Sequence, residues 1–357
     1  MFPSRKKTYK VSLHQLSSFT RQFVTMLNAG VPIQRALEFY SEGDPTDLGE
    51  VIDQVCTSVS SGVSLSVSMA KFPKVFTPVF LGLVQSGEKT GELSKMMERL
   101  ANLLEQEDRL MSKLRSAITY PIFLGLVSFS VGCIFMYVII PALEPMLNGL
   151  GVQPPLPTQI LMAIGRIIRH PVTLVGVPFS LVLLFFLGPP LLERMRKHEV
   201  WGERLDWIPM HLPVLGELYQ RITLARVLFT ISTTIESGLT LLTAITLGRA
   251  VTTNRFFRRA LDITHNRLSD GENFGEALAA SGVFPDVLVQ MLAIGEETAS
   301  LGPVMASTAN MYGEDAAHKM ETAVQLMEPI MLFTMGIVAG FLVLAAILPL
   351  VKMIDSL

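Results

Sequence analysis

From Arg109 to Pro141 a charged helical pattern, RLMSKLRSAI, turns without a break into an apolar one, TYPIFLGLVSFSVGCIFMYVII. No charged residue falls between Ala117 and Ile140. At the helical rise that segment is ~36 Å long, enough to cross a ~30 Å hydrocarbon layer with some tilt. Two later runs have the same character, Val172 to Leu192 and Pro329 to Val351. The pattern predicts three transmembrane helices, at 117–140, 172–192 and 327–351. Elsewhere apolar positions recur at helical spacing: Phe19, Phe23, Met26 and Leu27, then Leu93, Met97, Leu100 and Leu104, then Leu224, Leu228, Ile231 and Ile235. Alternating strand patterns are scarce, so the expected fold class is an all-α membrane protein.

The helical segments repeat. LNAGVPIQRAL at 27–37 matches IESGLTLLTAI at 235–245, which places Gly30 on Gly238, 208 residues later. SSGVSLSVSMAKFP at 60–73 matches SDGENFGEALAASGVFP at 269–285, with the second copy three residues longer. SGEKTGEL at 86–93 then lies on IGEETASL at 294–301, and TYPIF at 119–123 on MEPIM at 327–331. Each copy is expected to be a bundle of about six helices whose last helix continues into the membrane. Gly30 and Gly238 fall between two apolar helical runs, the place for a left-handed residue closing a helix, and Gly62 and Gly271 mark a second such corner. The span at 172–192 has no counterpart and reads as the crossing that returns the chain for its second copy.

Lysine and arginine near the span ends set the orientation. Arg109, Lys113 and Arg115 precede the first span and Arg194, Arg196 and Lys197 follow the second, against Arg166 and Arg169 on the connecting side. The expectation is therefore a cytoplasmic repeat at 1–116, a short periplasmic loop at 141–171, a second cytoplasmic repeat at 193–326 and a periplasmic tail at 352–357. The loop carries Pro141, Pro145, Pro154, Pro155 and Pro157 and reads as a connector. The N-terminus has no apolar core of signal-peptide length, so the first span is expected to direct insertion.

Composition supports a membrane protein: half of the 357 residues are hydrophobic and mean hydropathy is positive, +0.44. A net charge of −2 leaves no basic excess for a phosphate backbone, so nucleic acid is not expected as a partner. The short cluster Arg5, Lys6, Lys7 and Lys10 reads as a solvated tail or a contact to anionic lipid. Two cysteines, Cys56 and Cys133, do not make a disulfide framework.

Candidate chemistry is sparse. Gly82 to Thr90, GLVQSGEKT, resembles a phosphate-binding loop, but Glu88 stands where the lysine belongs and would repel phosphate. The pairs Gly87-Glu88 and Gly295-Glu296 have two readings. In one, the glycine ends a helix and the glutamate, with Thr90 or Thr298, starts the next, favoured by the helix dipole. In the other they form a docking edge for a cytoplasmic partner. Glu105, Glu107 and Asp108, like Glu314 and Asp315, read as solvated helix faces, with a divalent ion between such faces as the alternative. Glu328 opens the third span where Tyr120 stands in the first; it reads as an interfacial helix-end residue or a contact to another membrane helix. Pro121, like Pro178, Pro189, Pro190 and Pro349, reads as a kink or a helix end, and Pro329 answers Pro121 in the second copy. No catalytic, cofactor or metal set is found, and no enzymatic activity is expected.

Together, the duplicated domain with SGEKTGEL and IGEETASL, TYP and MEP opening the first and third spans, and FTRQ at 19–22 resemble the GspF/PilC family, the inner-membrane platform proteins of type II secretion and type IV pilus machines. Ala299 stands where the second corner should carry glycine, and that copy is expected to turn differently. The resemblance implies a non-enzymatic, multi-pass scaffold in the bacterial inner membrane. It implies contacts to a hexameric assembly ATPase, to pilins or pseudopilins, to other inner-membrane assembly proteins and to further copies of itself. The partner-contact candidates are Gly30, Gly62, Gly87, Glu88, Tyr120, Pro121, Gly238, Gly271, Gly295, Glu296, Glu328 and Pro329. The competing readings are a small transporter or channel component, disfavoured by few spans without mid-membrane charge, and an ATP-using membrane enzyme resting on Gly82 to Thr90.

Overall fold

The computed structural model describes residues 9–139, 141–142, 145, 155–169 and 215–355. The chain divides into two compact units, Met1–Lys113 with Asp206–His318, and Leu114–Leu205 with Lys319–Leu357. Among the described residues every regular element is helical. The proposed span at 172–192 lies outside the described residues.

The first half of unit 1 comprises α1 (Leu13–Asn28), α2 (Ile33–Gly43), α3 (Asp47–Ser60), α4 (Leu65–Met69), α5 (Pro78–Thr90) and the start of α6 (Leu93–Ile134). The next described helix, α7 (Leu156–Arg169), belongs to unit 2. The second half of unit 1 follows as α8 (Leu215–Glu236), α9 (Leu241–Val251), α10 (Arg255–Ser269), α11 (Phe274–Ala279), α12 (Asp286–Glu297) and the start of α13 (Leu301–Asp355). The same six-helix order thus occurs twice. Local chemistry starts these helices: Ser12 and Gln15 close a capping box on α1, while Thr46, Thr77, Thr240 and Asn254 cap α3, α5, α9 and α10 through side-chain oxygens.

Left-handed glycines close helices in both halves. Gly30 and Gly238 have φ of 80° and 78°, and Gly62 and Gly271 have 90° and 92°, a region costly for a side chain with a Cβ. The next amide then reaches back to close the helix, Val31 to Met26 at 3.0 Å and Leu239 to Thr234 at 3.3 Å in the first corner of each half.

One hydrophobic core serves both halves: Phe19, Phe23, Phe76 and Phe80 belong to the same cluster as Phe257 and Phe274. Phe19 lies 5.6 Å from Phe23 and 4.7 Å from Tyr40 between ring centres, and Phe76 lies 4.9 Å from Phe80. Each such buried ring stabilises the fold by roughly 1.5–3 kcal/mol. The expected picture of two separate bundles is therefore modified: the helix order recurs, but α9 of the second half packs on α5 of the first and the two share an interior. The copies also differ in length otherwise than expected. Phe76 and Phe284, both buried, directly precede the capping residues Thr77 and Pro285 of α5 and α12, so no three-residue insertion separates them from Gly62 and Gly271.

In unit 2, α6 and α13 supply the two described helices long and apolar enough to cross a membrane. Their apolar windows are 0% and 11% buried, leaving Phe123, Phe129, Ile330 and Phe333 exposed. Bare hydrocarbon on that scale marks a lipid-facing or partner-facing surface. Neither helix ends at its proline. Pro121 lies inside α6 and Pro329 inside α13, as membrane helices allow when other groups take up the freed carbonyl. The segment expected to be a bare connector contains α7. Thr158 Oγ1 donates to the Ala345 carbonyl at 2.8 Å, and Leu161 and Met162 join Leu342 and Ala345 in a small core. The many prolines hid this helix, because Pro155 and Pro157 fall at its start, where proline is tolerated.

Candidate functional site

Glu88 and Glu296 do not start helices. Both lie within helices, near the ends of α5 and α12, and each reaches across to the first turn of another. The backbone N–H of Leu65 donates to Glu88 Oε1 at 2.5 Å and that of Ser66 to Oε2 at 3.2 Å, and the Ser66 hydroxyl donates to Oε2 as well. In the second half the N–H groups of Phe274 and Gly275 donate to Glu296 at 2.9 and 3.3 Å. The carboxylate thus satisfies amides that α4 and α11 leave unpaired and sits at the positive end of their dipoles. Neither short helix receives a side-chain cap bond from its own N-cap residue, Ser64 or Asn273. The expectation that the glutamate begins the next helix is corrected: it clasps the preceding one.

Gly87 and Gly295 explain the rest of the pair. Both are buried inside their helices, where the next helix crosses closely. A Cβ on Gly87 would sit 2.8 Å from Leu93 Cα, and one on Gly295 would sit 3.1 Å from Val304 Cβ. The chain turns later, at Gly91 with φ 75° and at Ala299 with φ 53°. Ala299 therefore makes the same left-handed corner as its glycine counterpart and does not turn differently, at a strain of about 1 kcal/mol. Since Gly82 to Thr90 lies within α5, it forms no phosphate-cradling loop.

Four of the five acidic residues read as solvated are paired across helices, while Glu314 stays exposed as expected. On α6, Glu105 accepts from Arg21 Nε at 2.6 Å, Glu107 pairs with Arg226 of α8 at 2.7 Å, and Asp108 lies 2.8 Å from His14. On α13, Asp315 pairs with Arg221. These contacts tie α6 to α1 and to the second half, a role the sequence did not reveal because each partner is far away in the chain. Among the described residues no group of three or more His, Cys, Asp or Glu side chains is placed to hold a metal.

The bond from Arg21 holds the Glu105 carboxyl below its ordinary value of 4.5, against the opposing effect of burial. A lowered folded pKa stabilises the fold above the ordinary value and loses that contribution as pH falls through the lowered one. Glu105→Gln is accordingly expected to flatten the acid side of the stability curve below about pH 4.5, read as the midpoint of denaturant unfolding at pH 7 and pH 3. An identical acid dependence in both proteins would contradict this.

In unit 2, Tyr120 is 51% exposed, and Glu328 is exposed in the interior of α13, so Glu328 is not a helix-end residue. Between them, α6 and α13 line an apolar space of about 380 Å³, with Gly125, Phe129 and Gly132 on one side and Met331, Met335 and Val338 on the other.

Helix clasps, close crossings and interhelical ion pairs are features of a structural component. The sequence matches the family Type II secretion system (T2SS), protein F, twice, over residues 19–141 and 227–349, two segments displaced by the same 208 residues as the repeat. The chain belongs to this family, whose members are structural components of secretion and pilus machines and not enzymes. It is 29% identical over 347 residues to Type IV pilus assembly protein PilC of Pseudomonas aeruginosa, covering 96% of this chain and 91% of that one. It is also 29% identical over 350 residues to PilC of Thermus thermophilus, covering 97% and 84%. Type II secretion system protein F of Aeromonas hydrophila is 28% identical over 349 residues, covering 96% and 87%.

Proposed function

We propose that this chain is the inner-membrane platform of a type IV pilus or type II secretion machine, coupling a cytoplasmic assembly ATPase to polymerisation of pilins or pseudopilins. The observation that carries the reading is the double match to the family over both halves of the chain. It is supported by the two exposed apolar helices of unit 2 and by the interhelical ion pairs of unit 1. In this reading residues 1–116 and 193–326 face the cytoplasm and meet the ATPase, and 117–140, 172–192 and 327–351 span the bilayer. Residues 141–171 and 352–357 are periplasmic, and several copies work together. The apolar space between α6 and α13 would receive apolar side chains of a subunit leaving the membrane.

Deleting the gene is expected to abolish a surface fibre or the secretion of a folded exoprotein, and the full-length protein is expected to co-purify with the assembly ATPase. Normal fibres and normal secretion in the deletion strain would overturn the proposal. Reporter fusions after Gly151 and after Thr252 test the topology, which fails if both report the same side.

A further inference from the structure

The two halves use equivalent helices differently. In the first half, α5 carries the stripe Val79, Gly82, Leu83 and Ser86, and α9 of the second half packs on that helix, its Leu247 Cδ1 3.3 Å from where a Gly82 Cβ would stand. On the same helix Val79 and Leu83 are buried, at 2% and 0% exposure. The equivalent stripe on α12, 208 residues on, is Val287, Gln290, Met291 and Ile294. Val287 and Ile294 are 62% and 60% exposed. The equivalent of α9 is α2, and the equivalent of Leu247 is Phe39, which is 73% exposed.

So one α9-type helix is docked on one α5-type helix within the chain, while the reciprocal pair, α2 and α12, each present a large apolar residue to the surroundings. Were the halves related by a true two-fold, both contacts would be made. Large apolar side chains at matching positions of two helices, whose counterparts already bind each other, point to one occupant: another copy of the same chain.

We infer that α2 of one copy docks on α12 of the next, Phe39 seating against Val287 and Ile294 in place of Leu247 over Gly82. The inference rests on the proposed reading of several copies working together and names the surface they use. Every copy offers one α2 and one α12, so the contact is heterologous, and the assembly closes when the last α12 meets the first α2. At the position of Gly82 the second half has Gln290, exposed and unbranched, whose stem can lie aside for the larger Phe39 ring.

The test uses the full-length protein in lipid nanodiscs or native membranes, with the two free cysteines, Cys56 and Cys133, replaced by alanine. Chains carrying Phe39→Cys and chains carrying Ile294→Cys are co-expressed with different tags and oxidised. The expected result is a crosslinked band joining the two tags, with none in samples of either variant alone. A band in Phe39→Cys alone, or none in the mixture, overturns the contact.

A second arm uses Val287→Glu with Ile294→Glu. Both sites are exposed, so the melting temperature should hold while the oligomer mass falls; an unchanged mass overturns the contact. If the contact fails while gene deletion still abolishes fibre or secretion, the platform reading stands and the surface alone is wrong.

Discussion

Replacing both Glu88 and Glu296 by alanine is expected to lower the melting temperature of the full-length protein by roughly 10–20 °C. Each carboxylate accepts charge-assisted bonds from amides at the start of a short helix, and losing them leaves those amides without partners. That costs about 2–3 kcal/mol per site. The sites lie on different helix pairs of unit 1 and should add, and for a unit of roughly 225 residues each kcal/mol moves the midpoint by about 2–4 °C. Glu88→Ala should cost more than Glu296→Ala, because Glu88 also holds the Ser66 hydroxyl. Glu88→Gln, which keeps one acceptor, should fall between. Thermal unfolding followed by far-ultraviolet circular dichroism checks all four variants, and a shift under about 2 °C in the double variant would show the clasps to be energetically idle.

On the proposed platform reading, inserting four glycines after Ser116 is expected to abolish assembly of the fibre or secretion while the protein still reaches the membrane fraction and still co-purifies with the proposed ATPase partner. α6 is one helical segment from Leu93 to Ile134 and carries both residues of unit 1 and the first apolar window. Glycine costs up to about 1 kcal/mol per residue in a helix interior, and four in succession uncouple what lies on either side. Fibre counts or exoprotein export, with ATPase co-purification as the control, give the answer. Full assembly in the insertion variant would mean that the continuous helix merely anchors.

The sequence disclosed the features that depend on spacing. Helical periodicity placed Phe19, Phe23, Met97 and Leu228 on buried faces, and the repeat located Gly30, Gly62, Gly238 and Gly271, whose positive φ the helix ends require. What escaped it was distance in three dimensions. Glu88 lies 23 residues from Leu65, and nothing in a local pattern tells a glutamate that starts a helix from one that caps another. Arg21 and Glu105 are 84 residues apart, so a paired acidic stripe read as a solvated one. Gly87 looked like a turn because glycine commonly is one, whereas here it is a spacer between crossing helices. Ala299 shows the converse: the fold holds a left-handed corner without glycine when both flanking helices define it.

The shared core sets a timetable for making the protein. The helix α5, where Gly82 meets Leu247, receives α9, whose residues leave the ribosome much later. At about 5–20 residues per second, the stretch from Lys113 to His318 takes roughly 10–40 s to synthesise. Until α9 is made, the first half stands without the helix that covers Gly82 of α5. Nascent chains of neighbouring ribosomes on one messenger would offer the same α9-type helix to it, and the chain's own second half has to arrive first.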